Sequence, residues 1–244
     1  MDHQEYSAIA KREWQTDTEL LHFVESYRGN GADPSHAFTP AQQVYWSGKR
    51  VLDILFSLLG LLLLLPVMGL IALAIYLDDP GEVIFRQYRV GRNGEWFTVY
   101  KFRTMKRATP KYLTSAQIQR SAVTRIGTFL RRTSLDELPQ LINVLQGSMS
   151  LVGPRPLIPV EREVHQKRLQ QGIYQLRPGI TGLAQIRGRD TLCPEEKVRL
   201  DKVYLDSFSL WTDIRILLGT IPELLGHTKT ADRTVYEAHI DDRQ

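Results

Sequence analysis

The chain is short of the residues that several chemistries require. One cysteine, Cys193, in 244 residues excludes an intrachain disulfide and is compatible with a reducing compartment. The histidines, His3, His22, His36, His165, His227 and His239, are scattered, with no metal-ligating spacing and no zinc motif. There is no G-x-G-x-x-G and no Walker-type loop, so dinucleotide and P-loop chemistry lack support. The first residues, Met1 to Glu5, lack the basic-then-apolar pattern of a cleaved signal, and no internal repeat is visible. Acid is scarce where base is dense. Between Arg86 and Arg132 stand Arg89, Arg92, Lys101, Arg103, Lys106, Arg107, Lys111, Arg120, Arg125 and Arg131, against Glu95 alone. With a net charge of +4, this basic surface suits an anionic partner: a phosphate-bearing substrate, acidic lipid headgroups or nucleic acid. Nucleic acid is the weakest of these, because no reading motif accompanies the charge.

What is present is one long apolar run, Ile54 to Leu77, interrupted only by Ser57, Gly60, Pro66 and Gly69. As a helix of about 24 residues it reaches roughly 36 Å, enough to cross a hydrocarbon core of about 30 Å. Pro66, near its middle, has no N–H and clashes with the preceding turn, so a kink or break is expected there. Basic residues flank both ends, Lys49 and Arg50 before and Arg86, Arg89 and Arg92 after, so neither end is marked for translocation. The run alone leaves a crossing helix and a re-entrant one level. Mean hydropathy of −0.24 excludes a multi-span protein and favours one dip into a bilayer plus a soluble body.

Residues 1–48 read as an extension, with a short amphipathic helix expected over Asp17 to Tyr27 and a linker over Gly29 to Ser35. Val83 to Val90 and Trp96 to Met105 read as two strands of a hairpin turning at Asn93-Gly94. Period two on the second strand places Lys101 and Arg103 on one face. Lys106 to Ser121 reads as a loop, and Ile126 to Arg132 as a short helix. Ser134 and Glu137 have capping-box spacing, which predicts a helix whose first turn carries Asp136 and Glu137. Gly153-Pro154-Arg155-Pro156 is a stiff turn that fixes Arg155. Glu161 to Gln171 reads as a charged, exposed helix. Glu195 to Leu225 reads as helical, with Tyr204, Phe208, Trp211, Ile214, Leu217 and Leu218 as a stripe suited to a core or a headgroup layer. The tail, 227–244, is polar.

Asp136 at a helix start should stay ionised, close to where phosphate is favoured. An ionised Asp beside a diphosphate can act as a nucleophile, and Glu137 with phosphate oxygens can hold Mg²⁺. Arg131, five residues ahead, can bind phosphate bidentately. Plain helix capping accounts for the same acids, and solvated charge for the same cations.

An ordered set of motifs resembles the monotopic phosphoglycosyl transferases, or bacterial sugar transferases. It comprises Lys49-Arg50-x-x-Asp53, Gln87-x-Arg89-x-Gly91, Tyr100-Lys101-Phe102-Arg103-Thr104-Met105, Ser134-Leu135-Asp136-Glu137-Leu138-Pro139-Gln140, Ser150-Leu151-Val152-Gly153-Pro154-Arg155-Pro156 and Arg177-Pro178-Gly179-Ile180-Thr181-Gly182. The likeness spans Lys49 to about Ile221. Departures are Leu65 for the serine before Pro66, Ser148 for a frequent acid and Leu183 for a frequent tryptophan.

The resemblance implies an α+β, mostly helical protein: a re-entrant membrane helix broken at Pro66 within 49–80, then a cytoplasmic catalytic domain with a small hairpin-based sheet over 81–226. It implies transfer of a sugar 1-phosphate from a UDP-sugar to polyprenyl (undecaprenyl) phosphate at the cytoplasmic face of the bacterial inner membrane. The product would start an exopolysaccharide, O-antigen or glycoprotein glycan. Asp136 would be the nucleophile, and Glu137 would hold Mg²⁺ as cofactor. Lys101, Arg103 and Arg131 would bind phosphate, and Pro154, Arg155 and Pro156 would serve the nucleotide. Membrane phospholipid is an expected partner and nucleic acid is not; a homodimer stays open. The rivals are a membrane-bound UDP-sugar hydrolase and a non-catalytic adaptor that senses nucleotide sugars.

Overall fold

The computed structural model describes residues 38–109, 119–188 and 191–224. The expected helix over 17–27, the linker at 29–35 and the tail at 227–244 lie outside the described residues.

Helix α1, Pro40–Asp78, is 39 residues long, about 58 Å at 1.5 Å per residue. It begins well before the apolar run because Thr39 and Gln42 form a capping box, with Pro40 in the first turn. Its apolar stretch has a mean hydropathy of 2.8 over 18 residues, of which 11% are buried, so it is long and apolar enough to cross a membrane. The helix runs uninterrupted through Pro66. Of the kink or break expected at Pro66, the break is absent: the ring removes one hydrogen bond, and the helix continues through it between leucine-rich flanks.

Both ends of α1 are fastened to the same body. Near the start, Arg50 donates to the carbonyls of Val144 at 2.5 Å and Leu145 at 2.8 Å, and Lys49 is ion-paired with Asp213. Asp53 accepts from the Ser150 hydroxyl at 3.1 Å and the Leu151 N–H at 3.0 Å. Near the end, Ile71 and Ile75 pack in one cluster with Phe102 and Leu130, and Asp79 pairs with Arg103 at 2.7 Å. Between these two anchored ends lies the exposed apolar stretch, with Leu62, Leu63, Leu65 and Leu70 among its bare side chains.

Strands β1, Ile84–Val90, and β2, Trp96–Phe102, pair antiparallel from Ile84 opposite Phe102 to Val90 opposite Trp96. Asn93 and Gly94 both have positive φ, and the Glu95 N–H donates to Arg92 O at 3.0 Å. This is the primed turn that Asn-Gly favours. Helix α2 is Arg125–Thr133 and α3 is Gln140–Gln146. A second sheet went unforeseen. β3, Ser150–Val152, pairs in parallel with β4, Gly179–Thr181, across a connection that contains α4, Arg162–Gln170.

Helix α5, Leu183–Ile186, leads to α6, Pro194–Asp206, and α7, Leu210–Leu224. The helical pattern expected over 195–225 is realised as two helices. Between them Phe208 turns into the core against Tyr45, Trp46 and Tyr204, and the Ser209 hydroxyl takes the Thr212 N–H at 3.2 Å. The apolar stripe divides accordingly: Tyr204 and Phe208 join the main core, while Trp211, Leu217 and Leu218 stay exposed. Nor is α4 merely a charged surface, since Val164, His165 and Arg168 are buried on its inner face.

Candidate active site

The two carboxylates sit on a turn of their own. Ser134 adopts the left-handed conformation, φ 56°, at the end of α2, and the chain then forms a 3-10 turn over Leu135–Glu137. The Ser134 side chain makes no capping bond; its carbonyl accepts the Glu137 N–H at 3.1 Å. The expected capping box is corrected on that ground. The left-handed residue reverses the chain before α3 begins, and Pro139, which has no N–H, stands ahead of Gln140 at the start of α3.

Asp136 and Glu137 are 8% and 6% exposed. Carboxylates this deep need partners. Glu137 Oε1 accepts from Lys101 Nζ at 2.7 Å and faces Arg155 Nη1 at 3.4 Å. Burial pulls the Lys101 ammonium below its ordinary pKa and Arg155 adds to that, while the charges of Glu137 and Asp136 oppose it. So a hairpin strand, a 3-10 turn and the loop after β3 bring Lys101, Asp136, Glu137 and Arg155 together. A small cleft beside them is lined by Arg89, Lys101, Gln140, Arg155, Pro156 and Ile180, among others.

Lys101 is held in register against Glu137 by Asn143 of α3. Its amide accepts from Tyr100 N–H at 3.0 Å and donates to Thr98 O at 2.7 Å, bonding the strand on both sides of Val99. Ser148 donates to Asn143 O at 3.1 Å, closing the end of α3.

Arg103 goes elsewhere. It lies one residue past β2, buried, with Nη1 and Nη2 on the carboxylate and carbonyl of Asp79 at the end of α1. The structure therefore does not place it with Lys101, although strand alternation puts both on one face. Arg131 lies on the last turn of α2, half-buried, five residues before Asp136.

Arg155 is presented by a tightly fastened loop. Five successive carbonyls each have a donor: Pro154 O takes Gly179 N–H at 2.9 Å, Arg155 O takes Arg168 Nη1 at 2.8 Å, and Pro156 O takes Arg89 Nη1 at 3.0 Å. Leu157 O takes Val90 N–H at 3.3 Å, and Ile158 O lies 2.9 Å from His165 Nε2. At the base of the loop, a Cβ on Gly153 would stand 2.3 Å from Arg177 O, and one on Gly179 would stand 2.1 Å from Gly153 N. Only glycine permits backbones this close.

Because a carbonyl can only accept, His165 Nε2 carries the hydrogen, and Nδ1 accepts from the Tyr174 hydroxyl. Burial pushes the His165 pKa down to about 4, with Arg168 and Arg89 adding to the effect and the Ile158 carbonyl opposing it. The folded pKa lies below the unfolded value of about 6.5, so folding favours the neutral ring. Its contribution is complete above about pH 6.5 and is lost as the pH falls toward 4, on the order of 3 kcal/mol. Denaturant unfolding in detergent across that window is expected to show this loss, and His165→Gln to flatten it. An equally steep profile in the variant contradicts the assignment.

Among the described residues, no group of three or more His, Cys, Asp or Glu side chains gathers as a metal site. The sequence reading found Lys101, Asp136, Glu137 and Arg155, but missed Asn143, Arg168, Asp201 and Asp213. Their partners lie 33 or more residues away, or on another element, so no local spacing signals them.

Residues 44–227 match the sequence profile of the family described as bacterial sugar transferase. The chain is 46% identical over 191 residues to the UDP-glucose:undecaprenyl-phosphate glucose-1-phosphate transferase of Escherichia coli K12, a match covering 75% of this chain and 41% of that protein. It is 44% identical over 185 residues to a Caulobacter vibrioides protein of the same name, covering 72% and 69%. With the exopolysaccharide production protein PSS of Rhizobium leguminosarum bv. phaseoli it shares 42% over 194 residues, 71% of this chain and 92% of that one. The chain thus spans about two fifths of the Escherichia coli relative and nearly all of the Rhizobium one.

Proposed function

Since the chain belongs to the bacterial sugar transferase family, we propose that it moves a sugar 1-phosphate from a UDP-sugar to polyprenyl phosphate, releasing UMP. The observation that carries this reading is the buried pair Asp136 and Glu137 set against Lys101 and Arg155 beside a membrane-grade helix. UDP-glucose is the proposed donor and undecaprenyl phosphate the acceptor, as two relatives' names specify for those proteins. The proposed place is the cytoplasmic face of the bacterial inner membrane, at the first membrane step of exopolysaccharide synthesis.

A carboxylate oxygen of Asp136 attacks the sugar-bearing phosphorus; the bond from that phosphorus to the UMP oxygen breaks, and UMP leaves with the electron pair. The phosphosugar is then held on Asp136. A polyprenyl phosphate oxygen attacks the same phosphorus, freeing the carboxylate and forming the polyprenyl diphosphate sugar. Lys101 and Arg131 offset phosphate charge, and Arg155 with Pro154 and Pro156 serves the nucleotide. Arg103, committed to Asp79, is left out of this set.

Mg²⁺ fits the donor set. It is ordinarily bound by one or two carboxylates, with substrate phosphates and water supplying the rest, and Asp136 and Glu137 are adjacent carboxylates on one turn. Glu137 would hold it, and the ion would neutralise charge on the diphosphate.

The test offers a panel of UDP-sugars with undecaprenyl phosphate and Mg²⁺ and follows UMP release and lipid product. UMP with lipid-linked sugar from one donor, lost on chelation, is the expected result. Free sugar phosphate in place of lipid product would establish a hydrolase, and donor binding without UMP would establish an adaptor.

A further inference from the structure

Behind the Arg155 loop lies an ion pair that touches none of the reacting groups. Arg168 of α4 and Asp201 of α6 are 4% and 1% exposed at their side chains. Arg168 Nε and Nη2 both donate to Asp201 Oδ2, at 2.9 and 2.6 Å. Burying two charges is costly, and apolar residues of similar volume commonly serve stability as well or better. The pair therefore calls for another role, and the remaining arm of the guanidinium supplies one: Nη1 donates to the backbone carbonyl of Arg155 at 2.8 Å. Two bonds to a single carboxylate oxygen fix the plane of the fork, so the third donor has no freedom of direction.

We infer that Arg168, held by Asp201, is a positioning residue for the donor nucleotide: it fixes the peptide plane of Arg155 and so aims that guanidinium at the cleft beside Glu137. The inference rests on the reading of Arg155 as a nucleotide-binding residue. From the same side of the loop, Arg168 and His165 of α4 hold the carbonyls of Arg155 and Ile158. Lysine, a point donor on a flexible stem, cannot hold Asp201 and reach the carbonyl in the same fixed geometry. The defect falls on donor binding, because Arg168 reaches the site only through the backbone carbonyl of Arg155 and makes no bond to Asp136, Glu137 or Lys101.

The test is a double-mutant cycle on the full chain in detergent or nanodiscs, reading KM for the UDP-sugar and kcat separately. Arg168→Lys is expected to raise KM about tenfold and change kcat by less than about threefold. Arg168→Met/Asp201→Leu, which removes both charges together, is expected to melt no lower than the parent and to show the same rise in KM. In an Arg155→Ala background, Arg168→Lys is expected to add less than about twofold, because it acts through a side chain already removed. Effects that multiply in the double variant overturn the positioning role, as does a parental KM in Arg168→Met/Asp201→Leu. An Arg155→Ala enzyme with unaltered donor KM overturns the nucleotide reading of Arg155, and the inference with it; that outcome is distinct from multiplying effects, which leave the reading intact.

Discussion

Replacing Asp136 by asparagine is expected to slow UMP release by at least about a thousandfold, with folding and membrane association intact. The substitution keeps the shape of a side chain that is 8% exposed and removes only the anionic oxygen. If that oxygen forms the bond to phosphorus, an amide cannot replace it; if Asp136 merely caps a turn, an amide serves almost as well. Glu137 next door does not compensate, because its Oε1 is held by Lys101 at 2.7 Å. Turnover within tenfold of the parent would remove Asp136 from the nucleophile role. Circular dichroism and flotation with vesicles establish that the variant is folded and bound.

The largest loss of stability is expected from Asp213→Ala. One carboxylate of α7 gathers Lys49 and Tyr45 from α1 and Tyr204 from α6: Tyr45 donates to Oδ2 at 2.6 Å, Tyr204 to Oδ1 at 2.7 Å, and the Lys49 ammonium also sits on Oδ2. Removing it leaves a buried cation facing only Asp53, 3.8 Å away, and the Tyr45 hydroxyl short of an acceptor, while the Tyr204 hydroxyl falls back on Val152 O at 3.2 Å. Breaking a buried ion pair from one side costs roughly 3–5 kcal/mol, a large part of a domain's stability. Lys49→Met/Asp213→Leu, which empties both charges, is expected to recover more than half of the loss. Denaturant unfolding measures both, and a cost under about 1 kcal/mol for Asp213→Ala would show that water or Asp53 satisfies Lys49 unaided.

What could be read from the chain beforehand was whatever short-range spacing determines. Asn93-Gly94 between two β-rich runs gave the hairpin, because that dipeptide alone relaxes into a primed turn. The apolar run gave the long helix, and the ordered motifs gave the Asp136, Glu137, Lys101 and Arg155 set. Misreadings arose where a long-range contact overrode a local pattern. Ser134 and Glu137 have capping-box spacing, yet Ser134 is left-handed and the turn stands apart from α3. Strand alternation put Arg103 beside Lys101, but β2 ends at Phe102 and Asp79 takes the guanidinium. The β3 and β4 pairing joins residues 29 apart through Ser150 and Gly179, which no short window can show. A missing donor at Pro66 is a local fact that predicts a kink or a break; the helix does not break, because its neighbours on both sides are strong helix formers.

The central claim is that Asp136 becomes covalently loaded, and one measurement addresses it most directly. The parent protein is mixed with UDP-glucose and Mg²⁺ in the absence of any polyprenyl phosphate, quenched within seconds, and weighed intact. The account predicts a species heavier by one hexose phosphate, carried on the peptide containing Asp136, with one equivalent of UMP released. Protein of unaltered mass, with UMP appearing only once the lipid acceptor is added, would contradict it.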